Sequence, residues 1–264
     1  MELVEIDSVS ALLELVNGLP NNYFFRGQAD ASWRLESSLE RVVGSDWSAE
    51  NARKFEDFSL KYFCSKFHLY DRENVKPNSK LAWLSVMQHY GVPTRLLDFT
   101  ESPYVALYFA LEASAPSLQR DMALYAIDYS AVLDRSIEYI RSKDNGFSET
   151  RATLFDRQDE VFDNVVDRFA YDIAWIGEPK LLNARLDRQA GSFLLSGNRG
   201  LRIEDVLNSP LYSSVDMRKI VIQGNLVTSV FALLRKMNIT SKSLYGDLDG
   251  LARSIRMQMQ IYAV

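Results

Sequence analysis

Arg26 directly follows the aromatic run Tyr23-Phe24-Phe25 and directly precedes Gly27, and this position is the first in the sequence to suggest chemistry. An aromatic strand ending at Arg26 would hold the guanidinium on a rigid element, while Gly27 leaves the adjoining backbone uncovered. A phosphate or carboxylate could then approach closely and take the planar fork. Gln28 adds an amide beside it. The same arginine could instead pair with a carboxylate of the fold.

A second cluster runs from Gln88 to Thr100 and carries Gln88, His89, Tyr90, Thr94, Arg95, Asp98 and Thr100 across a helix end, a turn at Gly91-Val92-Pro93 and a short strand. A purely structural turn does not require that density of polar side chains. Strand alternation puts Thr94 and Asp98 on one face and Arg95 on the other. Histidine titrates near neutrality, so His89 could act as acid, base or donor, or be a satisfied half-buried residue. The third cluster spans Asn183 to Phe193. Gly191 before a strand marks a close backbone approach, and Arg185 and Gln189 lie one helical turn apart. A turn capped by its own polar side chains reads the same way.

The elements that must position these residues are legible from periodicity and punctuation. Apolar residues at 9, 12, 13 and 16 predict a helix over 7–17. Helices are predicted over 49–70, with Phe55, Phe58, Tyr62 and Phe63 as a buried face, and over 80–90, stopped by Gly91. A strand is predicted over 94–99, then a helix that Ser102 caps with Pro103 at its first position. Strands follow at about 122–128, 172–176, 192–195 and 217–222, and helices at about 130–142, 226–237 and 247–256. The charged stretch at about 143–168 reads as a mobile insertion. Few short strands between irregularly spaced helices, without a repeat or a linker, predict a single α+β domain over residues 1–264.

Composition narrows the classes. The 264 residues are 47% apolar and 25% charged, which excludes disordered and low-complexity chains. No run of 18 apolar residues occurs, and the start is acidic where a signal peptide is basic, so a cytoplasmic protein without membrane contact is expected. One cysteine and two histidines are too few for a structural zinc cage, and no metal is expected. A net charge of −5 argues against an extended nucleic-acid-binding surface.

The ordered series Phe24–Gln28, Trp33–Leu39, Met87–Leu111 and Arg185–Phe193, with the segment Lys236–Ala252 beyond, resembles the FRG-domain family, named for the motif seen here as Phe25-Arg26-Gly27. A weaker resemblance is to ADP-ribosyltransferases. Arg26 is similar to the arginine that opens their NAD site, and Phe99-Thr100-Glu101-Ser102 with Ala106–Ala110 is similar to their second element. Gln189 stands nearest the place of their closing glutamate, and an amide cannot supply the same charge, which leaves Asp98 and Glu178 as alternative carboxylates.

The resemblances imply an ADP-ribosyltransferase-like fold that binds NAD or a related nucleotide. Arg26 would pair with the pyrophosphate. Gly27, Gln28, Gln88, Thr94, Arg95 and Thr100 would line the ligand, and His89, Asp98 and Gln189 would do the chemistry on a macromolecular acceptor. Such an enzyme would act as a bacterial toxin or phage-defence effector. The alternative is a non-catalytic module recognising a nucleotide, a nucleic-acid end or an acidic peptide.

Overall fold

The aromatic run beginning at Tyr23 does not stop at Arg26. In the computed structural model, which describes residues 1–70, 76–113, 120–178 and 184–262, strand β2 covers Tyr23–Gln28, so Arg26 stands within the strand and not at its end. Ladder pairing with a partner strand extends the run where composition alone would end it.

The other strands are β1 (Glu2–Ile6), β3 (Leu97–Thr100), β4 (Met122–Asp128), β5 (Ala174–Gly177), β6 (Gly191–Ser196) and β7 (Met217–Ile222). Together they form one seven-stranded sheet in the order β1-β7-β4-β2-β3-β6-β5. Only β1 and β7 pair in parallel, and the remaining neighbours are antiparallel. Around it stand α1 (Val9–Gly18), α2 (Ser38–Val43), α3 (Ala49–Phe67), α4 (Lys80–His89), α5 (Pro103–Glu112), α6 (Tyr129–Lys143), α7 (Arg151–Val161), α8 (Ala184–Arg188), α9 (Ile203–Leu207), α10 (Val227–Lys236), α11 (Ser241–Tyr245) and α12 (Leu248–Tyr262). The fold is α+β.

Both faces of the central strands are buried, which is why β4 reads as apolar throughout. On one face Phe25, Leu124 and Ala126 pack with Ala106 and Ala110 of α5 and with α1, α10 and α12. On the other, Phe24, Phe99, Tyr125 and Ile127 pack with Val132 of α6 and with α9, and Phe24 stacks on Phe99 at 4.1 Å between centroids.

One irregularity in the sheet matters for function. β2 pairs with β4 along its whole length, from Tyr23↔Asp128 to Gln28↔Ala123, but it meets β3 at the single pair Phe25↔Thr100. Beyond that pair the two strands part, and the sheet opens beside Arg26, Gly27 and Gln28.

Several local expectations have a different outcome. On α3 the inward positions are Ala52 and Glu56, while Phe55, Phe58 and Tyr62 point outward. A stripe of aromatics at helical spacing names a face but not the direction in which it turns. Because Phe58 is 66% exposed, Phe58→Ala should change stability by no more than about 0.5 kcal/mol in a thermal melt. The predicted strand over 94–99 begins only at Leu97, and the helix expected over 247–256 runs on as α12 to Tyr262, preceded by the unpredicted α11, which is capped by Gly246, whose φ of +73° suits glycine. The stretch at about 143–168 carries α7 and a π-helical turn, Phe162–Asp167, which contribute Leu154, Val161, Phe162 and Val166 to the core. No helix among the described residues is long and apolar enough to cross a membrane.

Candidate functional site

Where β2 and β3 part, a cavity of about 590 Å³ opens. Its walls come from β2 (Phe25–Gln28), β3 (Asp98, Phe99, Thr100), the end of α4 (Gln88, His89), α5 (Phe109, Glu112), the start of β6 with the turn before it (Gln189, Gly191), and Tyr245 of α11. Trp33, Arg34, Glu36 and Arg41 also line it. The structure therefore brings Arg26, Gly27, Gln28, Gln88, His89, Asp98, Thr100 and Gln189 around one concavity, although they come from three separate parts of the chain.

Arg26 spans the gap. Its Nη1 donates to the Asp98 carbonyl at 2.7 Å, filling part of the place that a ladder hydrogen bond would take, while its Nε is buried without a partner. Among the described residues no carboxylate forms an ion pair with it. Burial lowers its pKa from the ordinary arginine value, Asp98 opposes that shift, and nearby Arg41 adds to it. Arginine stays protonated under such conditions, so a half-buried positive charge faces the cavity incompletely compensated. Gln28 is similarly half-used. Its Nε2 donates to the Arg34 carbonyl at 3.1 Å, and its Oε1 is buried without a partner.

Gly27 has a reason the sequence did not suggest. A Cβ there would stand 1.9 Å from the Ala106 carbonyl oxygen and 2.8 Å from the Ala110 nitrogen. The glycine, and the alanines opposite it, let β2 lie directly against α5. Close helix packing, and not room for a ligand, is what demands it.

Gln88 and Asp98 form a short chain at the cavity wall. Gln88 Nε2 donates to Asp98 Oδ1 at 2.7 Å, and Gln88 Oε1 accepts from the Thr94 hydroxyl. Thr100 Oγ1 donates to the Gln189 carbonyl at 2.6 Å, tying β3 to the turn before β6. The Gln189 amide donates in turn to the Leu244 carbonyl at 3.5 Å, and Arg188 Nη1 to the Tyr245 carbonyl at 2.9 Å, so α11 is fastened to that turn. His89 is exposed at the cavity edge, edge-on to Tyr90.

Two expected ligand contacts lie elsewhere. Thr94 is buried behind the wall, where its backbone N–H donates to Ser38 Oγ at 3.0 Å and its carbonyl accepts from Leu39 N–H, fastening α2 to the turn. Arg95 is also buried and points away from the cavity, toward Glu56, Asp167 and the Ser196 carbonyl. Both are drawn inside because the chain between α4 and β3 crosses the core and β3 has not yet begun. Glu178 follows β5 beside Glu101, and burial together with that neighbouring charge raises its pKa. It does not line the cavity. Asn183 and the Arg185 side chain lie outside the described residues.

The structure adds residues to which the sequence reading gave no role. Glu112 accepts from Tyr245 Oη at 2.6 Å and from Tyr108 Oη at 3.1 Å. Arg34 is committed to Glu204 and Asp205, and Glu36 to Arg202 at 2.7 Å. Glu112 and Tyr245 are too far apart in sequence for any periodicity to connect them. Trp33-Arg34, an aromatic beside an arginine in a loop, is the one local signal that could have been followed. Among the described residues no group of His, Cys, Asp and Glu is placed to hold a metal ion.

The family model of the FRG domain matches residues 21–119, which contain β2, β3 and α5 and most of the cavity wall. Neither a curated protein nor a solved structure matches the chain.

Proposed function

We propose that the cavity of this chain, which carries an FRG domain over residues 21–119, binds a pyrophosphate-bearing nucleotide, NAD above all, for ADP-ribosyl transfer to a macromolecular acceptor. The observation that carries this reading is Arg26, a half-buried cation with a buried, unpartnered Nε and no carboxylate in ion-pair reach among the described residues, set in the opening between two strands. Such a group calls for an anion, and the guanidinium fork suits phosphate oxygens. The volume of about 590 Å³ falls within the range of small-molecule sites.

The lining fits the parts of such a ligand. Arg26, with Arg41 nearby, would hold the pyrophosphate, and Gln28 Oε1, Gln88 and His89 would hydrogen-bond ribose hydroxyls or an amide. NAD supplies a glycosidic bond to nicotinamide whose cleavage builds positive charge on the ribose. Asp98 stands across the opening from β2 and offers a carboxylate toward that charge, which the Gln189 amide could not supply. Gln88 orients that carboxylate. Modification of an essential acceptor would make the protein a toxin or phage-defence effector, and induced expression would then slow growth.

A second reading, nucleotide recognition without transfer, is favoured by one feature: the nearest counterpart of the closing glutamate of ADP-ribosyltransferases is an amide, Gln189. The two separate in one experiment, incubation with labelled NAD and cell extract followed by mass spectrometry of protein and nucleic acid. Added ADP-ribose supports transfer, whereas binding without modification supports recognition alone.

The shared premise has its own test. Arg26→Lys keeps the charge but not the fork, so it should cost about 1.5–3 kcal/mol of binding, roughly ten- to a hundredfold in affinity, with little change in melting temperature. Calorimetric titration with NAD, ADP-ribose and ATP measures it. Unchanged affinities would mean that Arg26 touches no phosphate.

A further inference from the structure

We propose that the mouth of the cavity at Trp33 is a nucleobase subsite, so that a bound nucleotide stacks its base on the indole and passes its phosphates inward between Arg41 and Arg26. This rests on the nucleotide reading above and specifies which residue recognises the base.

Trp33 lines the cavity yet is 50% exposed. Its backbone is fixed from three sides: its N–H donates to the Asp30 carbonyl at 3.2 Å, and its carbonyl accepts from Tyr125 Oη and from Lys219 Nζ, each at 3.3 Å. A large aromatic surface is thus held in solvent by an ordered backbone, and among the described residues no ring or cation stacks on it. Arg41, from α2, reaches the same cavity with its Nη1 on the Glu36 carbonyl at 2.7 Å, and among the described residues it has no ion-pair partner. Its charge is felt at Arg26. The other charges at this rim are already matched, Arg34 by Glu204 and Asp205 and Glu36 by Arg202. Besides the Gln28 Oε1, the unmatched features are therefore two cations and one flat aromatic face. An inorganic anion or an acidic peptide would use the cations alone, whereas a nucleoside phosphate uses all three, because every base has a π-face to stack.

The test is calorimetric titration of the full chain and of Trp33→Ala, Trp33→Phe and Arg41→Ala with ADP-ribose and with inorganic pyrophosphate, which has no base. Trp33→Ala should lose about tenfold in affinity for ADP-ribose and nothing for pyrophosphate, and Trp33→Phe should retain most of the ADP-ribose affinity. Arg41→Ala should weaken both ligands. Melting temperatures should stay unchanged, since the indole is exposed. ADP-ribose binding that depends on Arg26 but not on Trp33 would overturn the subsite and leave the nucleotide reading standing. Equal losses for ADP-ribose and pyrophosphate in Trp33→Ala would also overturn it, and failure of the wild type to bind either probe would overturn both readings.

Discussion

Gly27→Ala is expected to damage the fold itself and not merely a binding site. The added methyl would meet the Ala106 carbonyl oxygen at 1.9 Å and the Ala110 nitrogen at 2.8 Å, and both obstacles are helix backbone. No side chain can rotate away to make room. β2 cannot retreat either, because six consecutive residue pairs bind it to β4. The remaining response is for α5 to move off the sheet, taking with it the Ser102 cap and the wall of the cavity that Phe109 and Glu112 provide. Overpacking of side chains costs about 1–3 kcal/mol, and an obstacle made of backbone on both sides belongs at or above the upper end. At about 2–4 °C per kcal/mol for chains of this size, the melting temperature should fall by about 6–12 °C or more. A Gly27→Ala protein that melts like the wild type but no longer binds nucleotide would return the glycine to the ligand and refute the packing account.

That contrast bears on how much of the molecule could be read from its sequence. Where the signal was local, the element was legible: the Ser102-Pro103 helix start, the stop at Gly91, the apolar run of β4 and the strand-prone Ile220-Val221-Ile222 of β7 stand where punctuation and composition predict them. β1 was not legible. Glu2–Ile6 shows no regular polar–apolar alternation, and it is strand by virtue of pairing with Arg218–Ile222, more than 200 residues away. The face of α3 was misjudged for a related reason. Its inward position is held by Glu56, a charged residue that can be buried only because Lys80 and Arg95 meet it there.

The site follows the same division. Density of polar side chains pointed to the strand ends that flank the opening, and the parting of β2 from β3 gathers most of those residues around one cavity. Density could not separate residues facing the cavity from those facing the core, which is where Thr94 and Arg95 went. Nor could it find Glu112, Tyr245 or Trp33, whose places depend on contacts between distant segments.

Arg95→Met should be the most destabilising change among the polar residues, because it strands buried carboxylates. Arg95 is 5% exposed, pairs through Nε with Glu56 at 2.9 Å and donates from Nη2 to Asp167, with the two carboxylates themselves only 1% and 12% exposed. Lys80 reaches both, at 3.1 and 2.9 Å, so the network joins α3, α4, the entry to β3 and the π-helical turn. Removing one partner of a buried pair typically costs about 3–5 kcal/mol, since the remaining charge keeps its desolvation penalty. Burial alone would raise the Asp167 carboxyl, but Arg95 and Lys80 outweigh it and hold the pKa below the ordinary value. A carboxylate with a depressed folded-state pKa adds stability that is present above its unfolded pKa of about 4 and is lost as the pH falls through the folded value. The gap between wild type and Arg95→Met should therefore be widest near pH 7 and narrow as the pH is taken below about 4, which urea denaturation across that range measures. Because Arg95 does not line the cavity, the folded variant should still bind ADP-ribose with close to wild-type affinity. An Arg95→Met protein of normal stability that had lost the nucleotide would place Arg95 in the site after all.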